Sequence, residues 1–177
     1  MNNLNFIYPE IFTSLGILFV LILGVFKKKS SNLFFLISIF ILLISLGFLI
    51  NFPSNKEVYL FNDSYKIDNL SIFMKIVTIV SGIFVLISSY KYIKIVKIFD
   101  IEYPVLILSS ILGMMVMISS YDLIVFYIGL ELQTLSLYVL AAYNRDQVNS
   151  SEAGLKFFIL SALSSGLLLY GCSLIYG

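Results

Sequence analysis

Histidine and tryptophan are missing from this 177-residue chain, and cysteine and arginine occur once each, as Cys172 and Arg145. Without histidine no Ser–His–Asp set can be assembled. One thiol among scattered carboxylates makes no zinc, haem or iron–sulfur site. Cys172 closes no internal disulfide, and between Gly171 and Ser173 in an apolar run it reads as a packing residue. Charge is scarce too. Eleven basic and ten acidic side chains leave a net charge of +1, so no basic stripe for nucleic acid exists. No Gly-rich phosphate loop follows a strand. The start, Met1-Asn2-Asn3-Leu4-Asn5, lacks the basic region of a signal peptide and the Arg/Ser-rich pattern of a transit peptide. The first helix is therefore expected to act as its own insertion signal.

Apolar residues are what the chain has in excess: 60% are hydrophobic and the mean hydropathy is +1.02. Soluble domains average about 45–50% apolar and about 25% charged residues, against 12% charged here. A 20.0 kDa domain has too much surface to hide that surplus. Lipid is the solvent that accepts it. A spanning helix needs about 20 mostly apolar residues, and six segments qualify: Pro9–Phe26, Asn32–Phe52, Asn69–Tyr92, Pro104–Ser119, Asp122–Ala142 and Glu152–Tyr176. Pro9 and Pro104 suit first helical turns, where proline lacks only a bond the turn would not make. Ser119-Ser120-Tyr121-Asp122 leaves room only for a tight antiparallel hairpin between the fourth and fifth helices. The fold class expected is an all-α polytopic membrane protein of about six helices.

The connections differ in charge. Lys27, Lys28, Lys29, Lys91, Lys94, Lys97 and Arg145 fall on one side; the other holds only Lys56 and Lys66, accompanied by Glu57, Asp63 and Asp68. The positive-inside rule then puts both termini on the outer (intermembrane-space or periplasmic) side. Ile, Phe, Asn, Lys and Tyr abound, a bias that fits an A+T-rich genome. Together with the missing transit peptide it suggests organelle encoding and the mitochondrial inner membrane; the alternatives are a bacterial plasma membrane or a plastid thylakoid.

Ionisable residues inside spans are the informative ones, because each costs a few kcal/mol at the bilayer centre unless paired or hydrated. Glu131 stands nine residues beyond Asp122, roughly 14 Å deep at 1.5 Å per residue, too deep to snorkel. Lost hydration opposes the ionised form of such a carboxyl and a nearby cation favours it, so it can load and release a proton. Tyr127, Thr134 and Tyr138 share its helix face at i−4, i+3 and i+7 and form a candidate hydroxyl relay. The plainer reading is a protonated carboxyl that hydrogen-bonds two helices together. Lys156 lies one turn into the sixth helix: either it snorkels and pairs with Glu152, or it faces the bundle and tunes Glu131. Lys75 is read as snorkelling to the outer interface. Glu10 and Asp122 are read as complements to helix dipoles, with no chemistry. Ser161/Ser165 and Ala162/Gly166, with Gly113 and Gly129, are small residues that admit a neighbouring backbone.

The stretch from Asp122 to Tyr143, with Leu130-Glu131-Leu132-Gln133, and that from Ser151 to Gly171, with Glu152-Ala153-Gly154-Leu155-Lys156, resemble the chain 2/subunit N family of NADH:ubiquinone oxidoreductase, respiratory complex I. Pro9-Glu10-Ile11-Phe12 is similar to that family as well. The resemblance is densest over Pro104–Gly177. It implies the N-terminal part of an antiporter-like fold, with residues 1–103 forming three leading helices and residues 104–177 the first half of the first repeat. It implies a role in the membrane arm, where redox chemistry elsewhere drives protons across the bilayer. Glu131 would then be the central proton-path residue and Lys156 a functional charge. Flavin, iron–sulfur clusters and quinone would belong to other subunits, leaving this chain without a cofactor. Its partners would be lipid, the 4L-type and chain-4-type neighbours, and a second chain. Full-length members of the family have about fourteen helices, or about eleven, including broken helices and a second inverted repeat. A chain of six helices is accordingly expected to be one half of a split subunit, or else a fragment. The rival readings are a component of a multi-subunit cation/proton antiporter and a non-pumping scaffold.

Overall fold

Apolar side chains run around the helices rather than along one stripe, as suits segments that face lipid or one another on every side. In such surroundings the backbone must satisfy itself, and helices follow. The computed structural model describes residues 6–26, 31–51, 57–96, 101–144 and 146–176. It contains α1 (Tyr8–Phe26), α2 (Ser31–Ile50), β1 (Val58–Leu60), β2 (Tyr65–Ile67), α3 (Asn69–Val96), α4 (Glu102–Ile118), α5 (Leu123–Ala141) and α6 (Val148–Tyr176). Five of the six expected spans are long and apolar enough to cross a membrane, and α4 is apolar but has 17 residues. That length sits at the lower edge of the spanning range of about 17–25 residues.

Three expectations shift. Helix α3 runs on to Val96, so Lys91 and Lys94 lie in its last turns rather than in a loop. Helix α6 starts at Val148, a turn before Glu152. The connection from Pro53 to Asp68 holds a two-stranded hairpin in place of plain loop. Lys27, Lys28, Lys29, Phe52, Lys56, Lys97 and Arg145 lie outside the described residues.

Helix α4 sits at the centre, packed by α1, α2, α3 and α5. Its Leu108, Ile111 and Met115 join Val20, Leu42, Ile79 and Leu86 in the main apolar cluster. The α4–α5 hairpin is held backbone to backbone. A Cβ at Gly113 would stand 2.6 Å from the Gln133 nitrogen, and one at Gly129 would stand 2.7 Å from the Met117 nitrogen. Helix α6 packs chiefly on α5 and is mostly uncovered; Gly154 is its buried residue, against Ala142. At Gly166 an added Cβ would meet nothing within 4 Å, so the close approach expected there is not made among the described residues.

The hairpin pairs Val58 with Ile67 and Leu60 with Tyr65. Its turn passes through left-handed Phe61, Asn62 and Asp63, at φ 53°, 54° and 65°. Leu60, Tyr65 and Ile67 point inward and pack with Ile7 in a second apolar cluster. Backbone bonds stitch the hairpin to the α4–α5 turn: Lys66 N donates to Ser119 O at 2.8 Å, and Tyr121 N to Ser64 O at 3.0 Å. Asp68 then caps α3 reciprocally. Ser71 N donates to Asp68 Oδ1 at 2.7 Å, while Asp68 N donates to Ser71 Oγ at 2.9 Å.

Gly129→Val is expected to force α4 and α5 apart, costing about 1–3 kcal/mol as overpacking does, read as a lower thermal midpoint in detergent. Asp68→Ala should remove about 1 kcal/mol, the usual worth of such a cap. The bond from the Ser71 backbone holds the Asp68 carboxyl below its ordinary range. Its contribution is therefore present above the unfolded value of about 3.9 and lost as pH falls through the depressed folded value. Thermal midpoints of native and Asp68→Ala protein should converge at acid pH.

Candidate functional site

Asp122 starts α5 as its N-cap, accepting from Ile124 N at 3.1 Å. The Tyr176 hydroxyl at the far end of α6 also donates to Asp122, which ties the two helices antiparallel. That bond, followed by the one from Ile124, lowers the Asp122 pKa. Glu131 stands at mid-helix and is half-buried. Among the described residues its buried Oε1 has no hydrogen-bond partner and no cation pairs with it.

The hydroxyl line expected on this face is only partly assembled. Tyr127 and Thr134 are half-buried. Thr134 Oγ1 donates to the Glu131 carbonyl at 3.2 Å, within its own helix. Tyr138 is buried and donates across to Ser161 on α6. Ser136 pairs with Ser109 of α4 at 2.7 Å. Ser161 thus joins the polar face from α6, a placement no reading of α5 alone could supply. The Lys156 ammonium pairs with Glu152 at 2.5 Å, one turn back, and its side chain is 70% exposed. Within this chain it is offered on the open face of α6 instead of to Glu131.

The reading of Lys75 as a snorkelling side chain is overturned. Lys75 is 1% exposed, and its Nζ lies 2.5 Å from Glu10 Oε1. Glu10, read as a dipole complement, is itself buried and joins the same site. The Tyr65 hydroxyl donates to Glu10 Oε1 at 2.8 Å, and Lys75 Nζ also reaches the Tyr65 oxygen at 3.3 Å. Helices α1 and α3 and strand β2 each contribute one member. Burial, and then the Glu10 charge, push the Tyr65 phenol far above its usual range. Two opposite charges placed in spans of different helices were the available signal, but only packing could say that they meet. Among the described residues, no three His, Cys, Asp or Glu side chains gather as a metal site would require.

Comparison with known proteins gives a consistent picture. Residues 120–177 match the family described as NADH:quinone oxidoreductase/Mrp antiporter, TM. NADH-quinone oxidoreductase subunit N of Pelagibacter ubique is 67% identical over 177 residues, covering 100% of this chain and 38% of that protein. The subunit N of Bartonella bacilliformis is 47% identical, covering 99% of this chain and 36% of its own length. The chain thus spans under two fifths of the relatives it matches. A chain in the structure of respiratory complex I from Thermus thermophilus with bound Aureothin shares the fold, with a TM-score of 0.79 at 23% identity over 96% of this chain and 36% of that one.

Glu10→Gln or Lys75→Met alone leaves one buried charge without its counterpart, and each is expected to cost about 3–5 kcal/mol. The double variant removes both charges and should recover most of that loss. Thermal midpoints of the three variants, measured side by side, check the pairing.

Proposed function

We propose, from similarity along the whole of this chain to about two fifths of subunit N of NADH-quinone oxidoreductase, that this chain is a membrane-arm subunit of that complex and contributes part of a proton pathway. The observation that carries the reading is Glu131, a carboxyl at mid-helix in a spanning segment with a buried, unpaired oxygen. An intramembrane carboxyl is a functional candidate by default, because it persists only where use outweighs its cost. Approach of a positive charge favours carboxylate and expels the proton; its withdrawal favours uptake. Moving one proton against 100 mV costs about 2.3 kcal/mol, and one pKa unit corresponds to about 1.4 kcal/mol. A modest displacement of one neighbouring charge therefore suffices.

Tyr127, Thr134 and Tyr138, extended by Ser161, supply hydroxyls along the path. Lys156 serves as a basic charge presented on the open face of α6. The driving cation and the rest of the channel come from polypeptide beyond these 177 residues, in a longer form of the chain or in a second one. Electron transfer from NADH through flavin and iron–sulfur centres to quinone takes place in other subunits, with the 4L-type and chain-4-type subunits as membrane-arm neighbours. The relatives reported above are bacterial, and their origin supports a bacterial plasma membrane in place of the mitochondrial one expected from composition. The basic connections then lie in the cytoplasm and both ends of the six-helix unit on the outer side.

The matched family also takes in Mrp antiporters, but the relatives' names favour the NADH-linked complex, and co-purification with flavin and iron–sulfur subunits distinguishes the two. Glu131→Gln in the assembled complex is expected to cut NADH-driven proton translocation by more than half, with Glu131→Asp intermediate. Unchanged pumping per NADH in the Gln variant would leave only a scaffold.

A further inference from the structure

The cluster of Glu10, Tyr65 and Lys75 is built more richly than a helix clamp requires. Both of its donors converge on one carboxylate oxygen, Glu10 Oε1. The other, Oε2, is buried with no partner among the described residues. A clamp selected for strength alone would engage both oxygens, since a bare buried acceptor forfeits its hydration without return. Oε2 is a position in the cluster where a proton or a water adds a bond without displacing one. A buried carboxylate oxygen left without a partner is what an ordered water occupies.

Charge and position suit proton exchange. Carboxylate and ammonium cancel, so the resting site is neutral. An added proton leaves it at +1. Asp68, Lys75 and Tyr65 are the charged or titratable groups that act on this site, and Lys66 stands 3.6 Å from Asp68. The hairpin that supplies Tyr65 carries exposed Glu57 and half-buried Lys66, so water lies within a few residues of the cluster.

We propose that Glu10, Tyr65 and Lys75 form a second proton-binding site of this subunit, loaded at Glu10 Oε2 through a bound water and separate from Glu131. In loading, the bound water takes up a proton from the aqueous side and passes one on. A new O–H bond forms on Oε2, an O–H bond of the transient hydronium breaks, and neutral water remains. The carboxylate becomes a neutral carboxyl and Lys75 stays an ammonium. Release reverses both changes and returns the proton to the water. Tyr65 is a positioning residue that holds Oε1 and leaves Oε2 as the basic oxygen. The proposal rests on the reading of the chain as part of a proton-pumping complex.

The test is infrared difference spectroscopy of the intact complex, resting against NADH-energised. Native complex is expected to show a carboxyl C=O band that moves down in D2O. That band is lost in Glu10→Gln/Lys75→Met, which keeps the site neutral, and shifted in Tyr65→Phe, which removes one hydrogen bond to the same carboxyl. Glu131, by the reading above, gives a carboxyl band of its own, so the comparison is by component. If every carboxyl component of the native spectrum survives in the double variant, or the native complex shows none, the proposal is overturned. If the double variant does not assemble, Tyr65→Phe decides: a shifted band supports the site and an unmoved band overturns it. Glu131→Gln separates the two claims, because intact pumping there sinks the parent reading while the Glu10 band is judged independently.

Discussion

Polar groups in the hydrocarbon interior find no water to bond, and nearly every feature of this protein follows from that shortage. Its hydroxyl side chains bend back on their own helices. Ser38 donates to the Phe34 carbonyl, Ser45 to Leu42, Thr78 to Lys75 and Ser110 to Ile107, each at 2.8 Å. These bonds spend the hydroxyls locally and leave apolar surface outward. Where a hydroxyl reaches another helix instead, as Ser136 does to Ser109 and Tyr138 to Ser161, it marks a seam between elements.

The same shortage sorts the carboxylates. Glu10 is paired with a lysine and a tyrosine on two other elements, whereas Glu131 has no counter-charge among the described residues. One acid is thus held in a nearly closed cluster, and the other has an oxygen that pairs with none of the described residues. The contrast matches the packing around them. The first three helices and α4 enclose a continuous apolar core, while α6 is uncovered over most of its length. Polypeptide laid against α6 would change the surroundings of the α5–α6 pair far more than those of Glu10.

Close approach of backbones supplies the rigidity. Gly113 and Gly129 let α4 and α5 touch without intervening side chains. The β-hairpin fastens to the turn between those helices at Lys66, Ser64 and Tyr121. Through Tyr65 the hairpin also holds Glu10. The Glu10 cluster and the helix that carries Glu131 are therefore braced against the same turn.

Much of this was legible in the sequence. Hydropathy and length set the six helices, Asp122 and the short turn set the α4–α5 hairpin, and Gly113 and Gly129 signalled close packing, because span length and backbone self-satisfaction depend on composition alone. Mid-span depth singled out Glu131 for the same reason. The pairing of Glu10 with Lys75, the outward turn of Lys156 and the inward placement of Tyr65 were decided only by tertiary structure. Charges on different helices meet or miss according to rotation and packing, and one-dimensional spacing carries no record of either.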